Sequence, residues 1–149
     1  MSNISITKKL HFCCAHRLGP DMGRCHKIHG HNYTVDLELE ATSTKPAGPS
    51  GSVIDFKAIK DVCQKYLDDT YDHKLLLKEG DPLYDLFASA IEQKINIGPL
   101  DVLTTPAYPT AEWMAQQLLI AFESILPLTV RVASVTVWET ENAFATARR

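Results

Sequence analysis

Asn32-Tyr33-Thr34-Val35-Asp36-Leu37-Glu38-Leu39-Glu40-Ala41 is the stretch that decides the fold class of this chain. Tyr33, Val35, Leu37, Leu39 and Ala41 share one parity, and Thr34, Asp36, Glu38 and Glu40 share the other. Successive side chains of a strand point to opposite faces, so this period describes a strand with one buried and one wet face. Upstream, Ile4, Ile6, Leu10 and Phe12 alternate with Ser5, Thr7, Lys9 and His11, and only Lys8 breaks the apolar parity. The residues between, Arg17 to about Lys27, include Gly19, Pro20, Asp21 and Gly23 and read as a loop. Two consecutive strands of this kind predict an antiparallel pair.

Downstream the period changes. Thr42–Ser52, with Lys45-Pro46, Gly48-Pro49 and Gly51, reads as a loop. Asp55 caps a helix to about Asp69, with Phe56, Ile59, Cys63, Tyr66 and Leu67 at helical spacing. Asp81-Pro82 opens a second, amphipathic through Leu83, Leu86, Phe87, Ala90 and Ile91. Pro109-Thr110 opens a third to about Ser124, with Met114, Leu118, Leu119, Phe122 and Ile125 inward. Strand parity returns at Val130 and Val132, then at Val135, Val137 and Glu139, and the shift around Ala133 predicts a bulge. A last strand from about Asn142 to Ala147 completes an α+β pattern with an antiparallel sheet.

Composition narrows the class. The 149 residues are 45% hydrophobic and 22% charged, which suits one soluble domain with its own core. Fifteen Lys+Arg against 18 Asp+Glu give a net charge of −3, with no basic stripe, so nucleic acid is not an expected partner. No apolar run is long enough to span a bilayer, and the N-terminus lacks a secretory pattern, so the expected location is cytoplasmic. The four cysteines, 13, 14, 25 and 63, then read as thiols, with adjacent Cys13 and Cys14 on opposite faces of a strand.

The histidines carry the chemistry. Extending the strand parities places His16 in phase with Leu10 and Phe12, and His29 and His31 in phase with Tyr33 and Val35. Three imidazoles would project from the buried side of neighbouring strands, the ligand set of a catalytic zinc with one position open, although other divalent metals share it. Gly30 between two of them allows close backbone approach. His11 and His26 fall on the other parity, one a solvated strand residue and the other a loop residue. Cys25, in Cys-x3-His-x-His, is either a fourth ligand closing a structural site or a thiol beside an open one. Arg24 and Lys27 nearby favour thiolate.

Phe12-Cys13-Cys14-Ala15-His16, Cys25-His26-Lys27-Ile28-His29-Gly30-His31-Asn32-Tyr33, Val53-Ile54-Asp55-Phe56, Asp72-His73, Pro109-Thr110-Ala111-Glu112 and Trp138-Glu139-Thr140 together resemble the 6-pyruvoyltetrahydropterin synthase family. They stand in the family's order across nearly the whole chain. The three-residue spacer after Cys25 is most similar to the bacterial 6-carboxy-5,6,7,8-tetrahydropterin synthase branch of queuosine biosynthesis; pyruvoyl-forming members typically have a longer one. The resemblance implies a tunnelling fold: a four-stranded antiparallel sheet in ββααββ order with helices on one side. It also implies homo-oligomers, trimers or hexamers, with active sites at subunit interfaces.

By the same resemblance, His16, His29 and His31 bind zinc and Cys25 accepts a proton. Asp72, His73 and Glu139 form a charge-relay side, and Glu139 also anchors the pterin. The chemistry suits these types, because a carboxylate matches the guanidine-like edge of a pterin with two parallel hydrogen bonds. Thr110 and Glu112 are weaker substrate contacts, since Glu112 also suits a first helical turn. Arg17, Arg24 and Lys27 are candidates for a substrate triphosphate.

The implied reaction converts 7,8-dihydroneopterin triphosphate to 6-carboxytetrahydropterin, acetaldehyde and triphosphate. The rivals are a 6-pyruvoyltetrahydropterin synthase and a non-catalytic zinc- or pterin-binding protein; a zinc hydrolase lacks a general-base Glu beside His-Gly-His. One departure stands out. The chain reads as one domain, 1–149, with an insertion at about 74–108 that carries the extra helix and most simply lies outside the sheet. The residues after His73, Lys74-Leu75-Leu76-Leu77, also lack the family's usual Leu-Asn.

Overall fold

The computed structural model describes residues 4–43 and 49–149, so part of the loop expected at Thr42–Ser52 lies outside the described residues. Strand β1 is Ser5–His16 and β2 is His29–Ala41, with a 3-10 stretch, Pro20–His26, between them. A helical segment follows as α1 (Phe56–Ile59), a π turn (Lys60–Gln64) and α2 (Lys65–Thr70). Then come β3 (Leu75–Lys78), α3 (Pro82–Glu92), β4 (Val102–Thr105), α4 (Ala111–Ile125), β5 (Val130–Thr140) and β6 (Ala143–Arg148). Among the described residues no helix is long and apolar enough to cross a membrane.

Helices α1, α3 and α4 each begin at a side-chain cap. Asp55 accepts the Lys57 N–H at 2.9 Å, Asp81 accepts that of Leu83 at 2.9 Å with Pro82 behind it, and Thr110 accepts that of Trp113 at 3.3 Å. Ile59, Cys63 and Leu67 are fully buried at a spacing of four, which drifts around an ordinary α-helix. The wider π turn takes up that drift and keeps the three on one inward line.

The sheet departs from a four-stranded antiparallel one. It has six strands in the order β4-β3-β1-β2-β5-β6. β1–β2, β2–β5 and β5–β6 are antiparallel, as expected, while β1–β3 and β3–β4 are parallel. Strands β3 and β4 both fall inside the stretch 74–108, so that stretch extends the sheet as well as carrying a helix, rather than lying outside the sheet. The element order is therefore more broken than ββααββ. The expected bulge is present: Glu38 pairs with Ser134 and Leu39 with Val132, leaving Ala133 as the extra residue.

The core lies between one face of the sheet and the helices. Leu10, Phe12, Tyr33, Val35, Leu37 and Leu39 pack against Ile59, Leu67, Met114, Leu118 and Phe122. Helix α3 stands apart: none of its residues is fully buried, and Leu86 and Ile91 of the expected inward face are each 61% exposed. The edge of β1 beyond the reach of β3 is covered differently. The Gln64 amide exchanges hydrogen bonds with the His11 backbone, accepting its N–H at 3.2 Å and donating to its carbonyl at 2.6 Å. Asp72 accepts the Cys13 N–H at 2.7 Å and the His73 N–H donates to the Cys13 carbonyl at 2.7 Å. These contacts satisfy an edge that would otherwise invite pairing with another chain.

Candidate active site

The antiparallel register of β1 and β2 assembles the histidines. His16 faces His29 across the pair, and Cys14 faces His31. Inward parity then brings His16, His29 and His31 into one cluster whose nitrogens lie within 4.8 Å of one another. Their ring centroids are 4.5 Å (His16–His29), 5.2 Å (His16–His31) and 5.1 Å (His29–His31) apart. Gly30 makes the approach possible, because a Cβ there would stand 2.9 Å from the Cys14 carbonyl oxygen. The crowding is against the backbone of β1 rather than around an ion.

Hydrogen bonds fix the tautomers. His16 Nδ1 lies 2.8 Å from the Pro109 carbonyl, and His29 Nδ1 lies 2.8 Å from that of Lys27. A carbonyl only accepts, so both Nδ1 atoms carry the proton and both Nε2 atoms present lone pairs. Those two Nε2 atoms are 3.1 Å apart. His31 Nε2 is buried with no hydrogen-bond partner among the described residues. Burial, opposed by the Pro109 carbonyl and reinforced by the other two rings, lowers the His16 pKa to about 4 and keeps that ring neutral. Neutral lone pairs aimed at one another beside an orphaned nitrogen are costly alone, and a shared cation satisfies them. The donor set fits zinc.

Around the cluster the floor is aromatic. Tyr33 stacks on Phe12 at 4.8 Å and meets the His31 ring edge-on at 5.3 Å. Burial pushes the Cys14 thiol up to about 12, with the charges of Cys13, Asp72 and Glu139 adding to it, so Cys14 is an inert thiol. Glu139 is half-buried on the inward parity of β5, and its charge also acts on Tyr33. No hydrogen bond reaches its carboxylate from the described residues. Cys25 is half-buried at the end of the 3-10 stretch, and all four cysteines are free.

Other expected residues stand elsewhere. His73 Nδ1 is 2.6 Å from Asp72 Oδ2, but the His73 side chain is 85% exposed and lies outside the histidine cluster, at the edge of β1 beside Cys13. The Thr110 hydroxyl is engaged as the cap of α4, and Glu112 is exposed in its first turn. Arg17 is taken up by an internal ion pair with Asp81, so of the three cationic candidates only Arg24 and Lys27 remain on the surface.

A family model, 6-pyruvoyl tetrahydropterin synthase, matches residues 5–149. The chain belongs to this family. A 6-carboxy-5,6,7,8-tetrahydropterin synthase from Rickettsia conorii is 30% identical over 95% of this chain and 97% of its own. A probable 6-carboxy-5,6,7,8-tetrahydropterin synthase from Halobacterium salinarum is 34% identical over 93% and 82%. An uncharacterized protein from Wolinella succinogenes has a similar structure, with a TM-score of 0.78 and 24% identity over 100% of this chain and 99% of its own. A 6-pyruvoyl tetrahydropterin synthase from Caenorhabditis elegans has a TM-score of 0.68 and 22% identity over 100% and 97%.

This chain is accordingly an enzyme of the tetrahydropterin synthase kind, with a tunnelling-type fold whose six-stranded sheet includes two parallel strands. Two features of this family member had no signal in its sequence. The Pro109 carbonyl that orients His16 is backbone, which residue type does not mark. The Arg17–Asp81 pair joins residues 64 positions apart.

Proposed function

We propose that this protein is a zinc-dependent carbon–carbon lyase. With water, it would convert 7,8-dihydroneopterin triphosphate to 6-carboxy-5,6,7,8-tetrahydropterin, acetaldehyde and triphosphate in queuosine biosynthesis. The observation that carries this reading is the convergence of three imidazoles with an unpartnered His31 Nε2, in a chain whose curated relatives bear the 6-carboxytetrahydropterin synthase name. The Cys-x3-His-Gly-His spacing supports the same branch.

His16, His29 and His31 would hold the metal. Bound zinc supplies a Lewis acid for the substrate's side-chain oxygens, which acidifies the adjacent C–H. Cys25 thiolate accepts that proton. Glu139, a half-buried carboxylate without a hydrogen bond from the described residues, takes two parallel hydrogen bonds from the pterin's guanidine-like edge. Asp72 holds the Nδ1–H of His73, leaving Nε2 to move protons at the reacting side chain.

His73 is not one of the three clustered rings, although it lines one cavity with His31. The family likeness supports a trimer or hexamer with active sites at subunit interfaces. Thr110 and Glu112 adjoin Pro109, and substrate contacts from them would fall at the His16 end of the site. Four free thiols suit the cytoplasm.

The test is to incubate the zinc-loaded protein with 7,8-dihydroneopterin triphosphate and identify both the pterin and any small aldehyde. Acetaldehyde with 6-carboxytetrahydropterin is the expected result. A 6-pyruvoyl product without acetaldehyde would move the protein to the pyruvoyl branch. Stoichiometric zinc without turnover would leave a binding protein.

A further inference from the structure

The loop that carries Cys25 is closed at its stem by one backbone hydrogen bond and three from side chains. Leu18 N–H donates to the Cys25 carbonyl at 3.0 Å, and His26 Nδ1–H donates to the Leu18 carbonyl at 2.9 Å. Arg17 completes the closure: Nε donates to the His26 carbonyl at 3.0 Å and Nη2 to His26 Nε2 at 2.9 Å. Residues 17–18 are thus stitched to 25–26 by four hydrogen bonds, and the Cys25 backbone is held from across the stem.

The third guanidinium contact leaves the loop. Arg17 Nη1 donates to Asp81 Oδ1 at 3.1 Å, and the two side chains are only 16% and 7% exposed. The same carboxylate oxygen accepts the Leu83 N–H at 2.9 Å and so caps α3, the inserted helix. A desolvated ion pair is a weak stabiliser by itself, but losing one partner strands the other, which makes it a strict geometric tie. The far end of the insertion also touches this loop. A Cβ on Gly19 would lie 3.1 Å from the Tyr108 ring, so the loop backbone rests on Tyr108.

We propose that Arg17 and Asp81 are positioning residues through which the inserted stretch sets the placement of the Cys25 thiol. The inference rests on the reading of Cys25 as proton acceptor. It explains why a planar fork occupies position 17: a guanidinium reaches Asp81 and both His26 acceptors at once, whereas an ammonium is a point donor. The insertion, whose helix buries none of its own residues fully, is thereby linked to the reaction centre through its cap.

Two conservative variants test this. Asp81→Asn keeps an oxygen for the Leu83 N–H, so α3 retains its cap while Arg17 loses its counter-charge. Arg17→Lys keeps the charge and loses the fork. In metal-loaded protein, iodoacetamide labelling of Cys25 is followed by peptide mass spectrometry, with exposed Cys13 as the internal reference. The Cys25/Cys13 labelling ratio should rise severalfold in both variants. kcat should fall about tenfold with KM and metal content near those of the parent protein.

An unchanged labelling ratio overturns the proposal, even if kcat falls, because the loss would not pass through Cys25. Loss of metal overturns it too, since the pair would then act on the triad. Should Asp81→Asn fail to fold, Arg17→Lys carries the same test. Cys25→Ala separates the underlying reading: full turnover in that variant withdraws the proton-acceptor role, while the labelling ratio still decides whether Arg17 and Asp81 hold the loop.

Discussion

Asp72 has two partners through its two oxygens. Oδ1 accepts the Cys13 N–H at 2.7 Å and Oδ2 holds His73 Nδ1 at 2.6 Å. Partial burial pushes its pKa up, but the Cys13 N–H and the His73 hydrogen bond and charge outweigh that, and the net shift is downward. A depressed carboxylate contributes stability that is complete above its unfolded pKa, about 3.9, and is lost as pH falls through the lower folded value. Asp72→Asn should therefore flatten the fall in urea-denaturation midpoint below about pH 4. An equally steep fall in the variant would show that other carboxylates set the acid limit. The anchor also steadies His73, a non-glycine residue at φ 59°, in a conformation that costs on the order of 1–3 kcal/mol. Asp72 and His73 are neighbours in sequence, but sequence reading had no means of placing them, because their partner Cys13 is 59 residues from Asp72.

At the scale of elements, Gly30 sets the distance between β1 and β2. Gly30→Ala places a methyl 2.9 Å from the Cys14 carbonyl oxygen and 3.4 Å from the Ala15 Cα, both backbone neighbours that move only with their strand. The variant should lose about 1–3 kcal/mol in urea titration and bind zinc more weakly, because the shift separates His16 from His29. Native zinc affinity in a destabilised variant would show that the strands part elsewhere. Strands β1, β2 and β5 were legible because each has one wet face, so alternation marks them. Leu75, Leu76 and Leu77 of β3 are all buried, which erases alternation, and β4 is only four residues long. A run of three leucines reads equally as strand or helix. Helix α3 erred the other way: its period and cap were legible, yet its Leu86 and Ile91 stay exposed, because amphipathicity offers a face without naming what covers it.

Across the whole molecule, a metal held by three histidines on two strands would bind the folded state far better than the unfolded chain. At about one hundred times its dissociation constant, zinc should add up to about 2.7 kcal/mol. For a chain of this size that is an upward shift in Tm of about 5–10 °C by calorimetry. His31→Ala should abolish the shift, while an undiminished shift would place the ion elsewhere. By itself the sequence determined the α+β class, the antiparallel β1–β2 pair, the helix starts at Asp55, Asp81 and Thr110, the bulge at Ala133 and the shared parity of the three histidines. All of these follow from side-chain parity and from hydrogen bonds to near neighbours, which are local in the chain. The tertiary structure alone decided that β5 pairs with β2, that the stretch 74–108 adds two parallel strands to the sheet, that the Pro109 carbonyl orients His16, and that Arg17 ties the Cys25 loop to Asp81. Those contacts join residues far apart in sequence, many through backbone groups that every residue carries, so no local pattern of residue types encodes them.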